Sequence, residues 1–143
     1  NILEEFDISH AFGQHSGVIS SFDNRYYLPR FSLNERFGEI DRFAFAVNAY
    51  SLDIENFLPR NMFLTKNKRP SIEFSILNDL KGSSIDCFSN PGGEWSKQEL
   101  TNITKDRLQV KLKEEYLSGR ARLNCTTKVD DKWYWFGYQF LVR

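Results

Sequence analysis

The chain lacks any charge of one sign in excess: its 143 residues carry 19 basic and 19 acidic side chains, and no lysine or arginine run breaks the balance. That argues against a nucleic-acid partner held by counterion release. No stretch approaches the roughly 18 consecutive apolar residues of a membrane helix, so no membrane span is expected. There is no basic-then-apolar leader at the start. The sequence opens at Asn1 without a methionine and inside an ongoing pattern, which reads as a processed or excised fragment. Cysteine is scarce, with only Cys87 and Cys125. No Cys-x-x-Cys and no nearby histidine accompany them, so no metal site is expected. Histidine is equally scarce, His10 and His15 both falling in the opening stretch. No Gly-x-Ser-x-Gly elbow, Walker loop or dinucleotide glycine pattern occurs, and no internal repeat or low-complexity segment is visible.

Aromatic residues, by contrast, make up 15% of the chain, with 13 phenylalanines. Such side chains bury large areas and dominate core energetics, which argues against disorder, and a real core is expected. The length suits one ordinary domain, or a small domain with a piece of another attached.

Three regions differ in texture. Residues 1–31 alternate short apolar runs with turns, and Ile8 to Phe12 reads as a buried strand ending at Gly13. Pro29 biases its predecessor to extended geometry, which completes the strand-loop-strand look of an α/β unit. Ser32-Leu33-Asn34-Glu35 fits a capping box, and Leu33, Phe37, Ile40, Ala44 and Val47 recur behind it at helical spacing. One helix from about residue 34 to 50 follows, with Arg36, Glu39 and Arg42 on its solvated face. Phe43 and Phe45 lie off the stripe, so the helix should touch something on a second side.

Residues 51–69 are irregular, bracketed by Pro59 and Pro70, and read as a linker. Beyond them come alternating runs at 71–77, 84–88, 107–115, 119–126 and 132–142. Lys81-Gly82, Asn90-Pro91-Gly92-Gly93, Ser118-Gly119 and Asp130-Asp131 mark the turns between them. Short strands at such spacing predict an antiparallel sheet or β-sandwich over 70–143, immunoglobulin-like in texture. The fold class is thus α+β, mainly β. Within it Leu108, Val110 and Leu112 should point inward from one half-buried strand.

His15 stands beside two glycines on a loop, where an α/β enzyme can place a working side chain. A hydrogen-bonded structural histidine is the competing reading. His10 has no supporting context. Trp133, Tyr134, Trp135 and Tyr138 with Trp95 can form a platform for sugar stacking, or can serve as core and interdomain packing. Cys87 and Cys125 sit in strand-like runs and can be bridged in an oxidising compartment, or can be two small buried hydrophobes. Asn102-Ile103-Thr104 and Asn124-Cys125-Thr126 match the glycosylation sequon, a pattern common by chance.

Taken in order, Phe12-Gly13-Gln14-His15-Ser16-Gly17, Leu28-Pro29-Arg30-Phe31, Asp86-Cys87-Phe88, the run from Gly119 to Thr126 and Trp133-Tyr134-Trp135-Phe136 resemble the C-terminal portion of bacterial polysaccharide deacetylases of the NodB type. The resemblance implies that residues 1–50 are the last elements of a deformed α/β barrel and 70–143 an appended β-sandwich. It implies metal-activated water attacking an acetamide, with a divalent metal such as zinc held by an upstream catalytic domain. The family's Thr-Phe-Asp-Asp and His-x-x-x-His motifs are absent, so the fragment itself is expected to hold no metal and to be inactive. In that frame His15 is the candidate catalytic residue, and Gln14, Arg30, Trp133 and Trp135 are candidate contacts for a polysaccharide or oligosaccharide. A stand-alone carbohydrate-binding or structural β-sandwich is the alternative. Location stays open among cytoplasm, periplasm and exterior, the last two favoured by a Cys87–Cys125 bridge.

Overall fold

The structure, a computed structural model, describes residues 2–35, 38–80 and 82–143. Two short helices, α1 (Ile2–Glu5) and α2 (Ile40–Asn48), precede the strands. The strands are β1 (Tyr50–Ser51), β2 (Ile54–Leu58), β3 (Phe63–Leu64), β4 (Ile72–Ile76), β5 (Asp86–Ser89), β6 (Ser96–Lys97), β7 (Glu99–Asn102), β8 (Arg107–Lys111), β9 (Gly119–Val129) and β10 (Lys132–Val142). The larger sheet runs β1-β10-β9-β5-β6, with β3 also on β10, and the smaller runs β2-β4-β8-β7. Together they make a mainly β, two-sheet fold.

The frame is the β9–β10 hairpin, in register from Val129 opposite Lys132 to Gly119 opposite Val142. Its turn is Asp130-Asp131, both at positive φ (47° and 64°). That is the geometry of a two-residue turn whose twist matches the strands, and aspartate tolerates it better than most residues. Period-2 alternation then divides each strand between two faces. Ala121, Leu123 and Cys125 enter the core, joined by Phe140, Phe74 and Val110, all of them 2% exposed or less. Phe57 of β2 stacks its ring within 4.4 to 6.3 Å of Tyr138, Phe136, Phe74 and Phe140, so it closes the space between the sheets. Val110 and Leu112 are buried and Leu108 is half-buried, as the alternation in 107–113 requires.

The first fifty residues depart from expectation. No barrel remnant is present: residues 8–31 form no strand and contain one isolated parallel bridge, Phe12 to Leu28. The segment is instead a folded strap lying on the outer face of the larger sheet. The capping box at Ser32 does not start a helix, since α2 begins at Ile40 after Glu39 without a side-chain cap. Gly38 lies in the expected helix, and glycine costs about 1 kcal/mol relative to alanine there. Arg36 and Phe37, in the expected helix, and Lys81, in an expected turn, lie outside the described residues. The face of α2 turned to the protein carries Arg42, Phe45, Ala46 and Ala49, one register away from the expected stripe, and Ile40 and Val47 are 74% and 60% exposed. Residues 51–69, expected as a linker, supply β2 to the smaller sheet and β3 to the larger one. Short strands interrupted by Asn56 at positive φ and by Pro59 leave no alternation long enough to read.

Candidate functional site

The strap crosses β10 at a pair of glycines. A Cβ on Gly137 would collide with the Ser16 carbonyl, and one on Gly17 would lie 3.1 Å from the Gly137 nitrogen. Only glycine permits two backbones to approach so closely. On either side of this crossing the outer face carries two different surfaces.

On one side lie Gln14, His15, Arg30, Tyr27, Gln139, Arg120 and Arg122. His15 is 4% exposed, its ring stacked on Tyr27 at 4.8 Å. Desolvation, then the nearby Arg122 charge, lower its pKa from 6.5 to about 4, so the imidazole is neutral at pH 7. The His15 carbonyl accepts from the Arg30 backbone N–H at 3.0 Å, and Arg30 Nε donates to the Gly13 carbonyl at 3.2 Å. Gln14 Oε1 accepts from Arg120, and Gln139 Nε2 donates to the Tyr27 hydroxyl at 2.9 Å. His10 is exposed and its ring lies within hydrogen-bond distance of the Ser9 hydroxyl. Burial raises the Tyr27 pKa.

On the other side the sheet opens into a cleft of about 380 Å³ lined by Phe45, Phe88, Trp95, Asn124, Thr126, Trp133 and Trp135. All three tryptophans of the chain meet here. The register explains the meeting: Thr126 stands opposite Trp135, Lys128 opposite Trp133 and Phe88 opposite Asn124. These positions share the outward parity of β5, β9 and β10. Phe45 of α2 closes the top, edge-on to Trp133 at 5.8 Å and to Trp135 at 5.5 Å. Phe31 of the strap meets Trp135 edge-on at 5.2 Å. Trp95, Trp133 and Phe88 stay 48%, 39% and 37% exposed, so the rings are open to a ligand. The sequence pointed to Trp95, Trp133 and Trp135. Tyr134 and Tyr138, grouped with them there, turn inward against the core, as the parity of β10 already required. Phe88, Asn124 and Thr126 carry no such signal of their own, because only pairing of β5 with β9 and β10 brings them alongside the tryptophans.

The cysteines face each other across β5 and β9 and form a disulfide, Cα to Cα 4.1 Å, with both residues wholly buried. An oxidising location is compatible with it. Among the described residues no group of three or more His, Cys, Asp or Glu gathers to hold a metal, and no helix is long and apolar enough to cross a membrane.

No family model and no curated protein matches the chain. Among solved structures there is a likeness to PcoC, a methionine-rich copper resistance protein from Escherichia coli, at 13% identity and a TM-score of 0.43. It covers 65% of this chain and 99% of that one. A likeness so slight carries no ligand or activity across. The deacetylase resemblance is corrected on two grounds: no family model matches the chain, and the opening segment is a strap on a two-sheet fold rather than the last elements of a barrel. The hydrolase activity implied by that resemblance goes with it. The physical reason is that short glycine-bearing turns and aromatic strands suit many folds, so their order mimics a family without its core.

Proposed function

We propose that this chain is a β-sandwich binding module that takes carbohydrate in the aromatic cleft on the outer face of its larger sheet. The observation that carries this reading is the convergence of Trp95, Trp133 and Trp135 with Phe88 around one solvent-open cleft. Leaving large rings exposed has a cost in water, and flat indoles match the apolar faces of pyranose rings. The volume falls within the roughly 300–1,000 Å³ usual for small-ligand sites. Asn124 and Thr126 supply hydrogen-bonding groups between the rings, suited to sugar hydroxyls. Gln14, His15 and Arg30 act as positioning residues: they fix the strap that brings Phe31 against Trp135. The compartment we infer is periplasmic or extracellular, in keeping with the buried disulfide.

Tryptophan fluorescence during titration with tri- to hexasaccharides tests this reading. Binding should shift the emission, and Trp133→Ala and Trp95→Ala should each remove the response while the thermal transition persists. A glycan panel that leaves both the emission and the heat of mixing unchanged overturns it.

A further inference from the structure

Resting on that carbohydrate reading, we propose that the ligand is an acidic glycan that reaches along β9 past the strap crossing, so that its carboxylate or sulfate is received by Arg122 and Arg120 on the neighbouring surface. The outward row of β9 is continuous, running Arg120, Arg122, Asn124, Thr126 and Lys128. Asn124 and Thr126 line the cleft. Arg122 is the next outward residue after Asn124, about 7 Å further along the strand, roughly the length of one sugar ring plus its acid substituent.

Unlike Lys97 and Lys128 on the same face, the two arginines have no carboxylate partner among the described residues. Lys97 pairs with Asp86 at 2.6 Å and Lys128 with Asp131 at 2.7 Å. Among the described residues no acidic side chain pairs with Arg120 or Arg122, and Arg120 has only the Gln14 amide as a side-chain partner. Arg122 Nε is buried without an acceptor, and Gln139 Oε1 and His15 Nδ1 beside it also lack partners. Desolvation, and then repulsion from Arg120, lower the Arg122 pKa. An anion between the two guanidiniums relieves that repulsion. The Arg122 backbone is already fixed, its N–H donating to Asn90 Oδ1 at 2.7 Å and its carbonyl accepting from Ser89 Oγ at 2.5 Å.

The test compares galacturonate-, glucuronate- and sulfate-bearing oligosaccharides with neutral cello- and chito-oligosaccharides of equal length, by tryptophan fluorescence. Acidic chains should bind about tenfold tighter or more, the range of one charge-assisted hydrogen bond to a guanidinium. Added salt should erode the preference, because the site is half-exposed. Arg122→Gln should reduce acid binding to the neutral level and leave neutral binding unchanged. Arg120→Gln, at an exposed position, should act in the same direction if Arg122→Gln compromises folding. Equal affinity for acidic and neutral chains, or a preference that survives both substitutions, overturns the acidic-ligand inference and leaves the cleft standing as a sugar site. Silence toward every glycan overturns the sugar site and this inference with it.

Discussion

Replacing Gly137 with alanine should unseat the strap. An alanine in the middle of a strand ordinarily stabilises relative to glycine by about 0.5–1 kcal/mol, since the unfolded chain loses freedom. Here the added methyl would meet the Ser16 carbonyl, and that oxygen belongs to the main chain and cannot rotate away. Forcing a methyl into packed surroundings costs about 1–3 kcal/mol. If the strap lifts instead, Leu28, 7% exposed, and Pro29 lose their burial, at about 2 kcal/mol for each large side chain. Net of the alanine gain, overpacking costs up to about 2.5 kcal/mol and lifting the strap about 3 kcal/mol. At roughly 4 °C per kcal/mol for a domain of this size, the midpoint should fall by about 10 °C. The assay is thermal denaturation alongside an NMR titration of His15. Lifting the strap hydrates the imidazole, so its pKa should climb from about 4 toward 6.5. A Gly137→Ala protein that melts at or above the parent temperature, with His15 still titrating near 4, would refute the crossing of strap and strand.

Other outcomes follow from buried chemistry. Reducing the Cys87–Cys125 bridge, or replacing both residues with serine, should cost up to about 4 kcal/mol by chain entropy for its separation of 38 residues, read as a lowered denaturation midpoint. His15 has a folded pKa below its unfolded value, so the unfolded chain takes up the proton first as pH falls. Stability from this group should hold above about pH 6.5 and decline between pH 6.5 and 4 by at most about 3 kcal/mol, a slope that His15→Gln should remove from a melting-temperature profile. Ser89→Ala should cost about 1–3 kcal/mol by urea denaturation, because the Ser89 hydroxyl sits 2.6 Å from the buried Tyr116 hydroxyl and donates to the Arg122 carbonyl. Burial pushes the Tyr116 pKa up to about 12, and losing its partner should push it higher still, measurable by ultraviolet titration.

What local rules govern was readable in the sequence. Period-2 alternation marked β8, β9 and β10 as strands and set the inward face of β8, Asp130-Asp131 marked a turn, and the three tryptophans, grouped with Tyr134 and Tyr138, marked an aromatic surface. The same alternation separates Trp133 and Trp135 from Tyr134 and Tyr138, a distinction that odd and even positions along one strand make by themselves. The strap, the rotated contact face of α2 and the place of β1 to β3 were decided by tertiary structure. Their side chains follow no period of their own, because each residue answers to whichever part of the sheet lies beneath it. Cys87 and Cys125, 38 positions apart, could equally have been two buried thiols until the pairing of β5 with β9 set them face to face. His15 shows the division most plainly. A histidine between two glycines is compatible with catalysis or packing, and only the stacking of Tyr27 and the closeness of Arg122 make it a buried, neutral ring beneath a strap. Sequence dictates periods and turns through nearest neighbours, whereas a site is assembled from residues far apart in the chain whose meeting depends on the whole pattern of strand pairing.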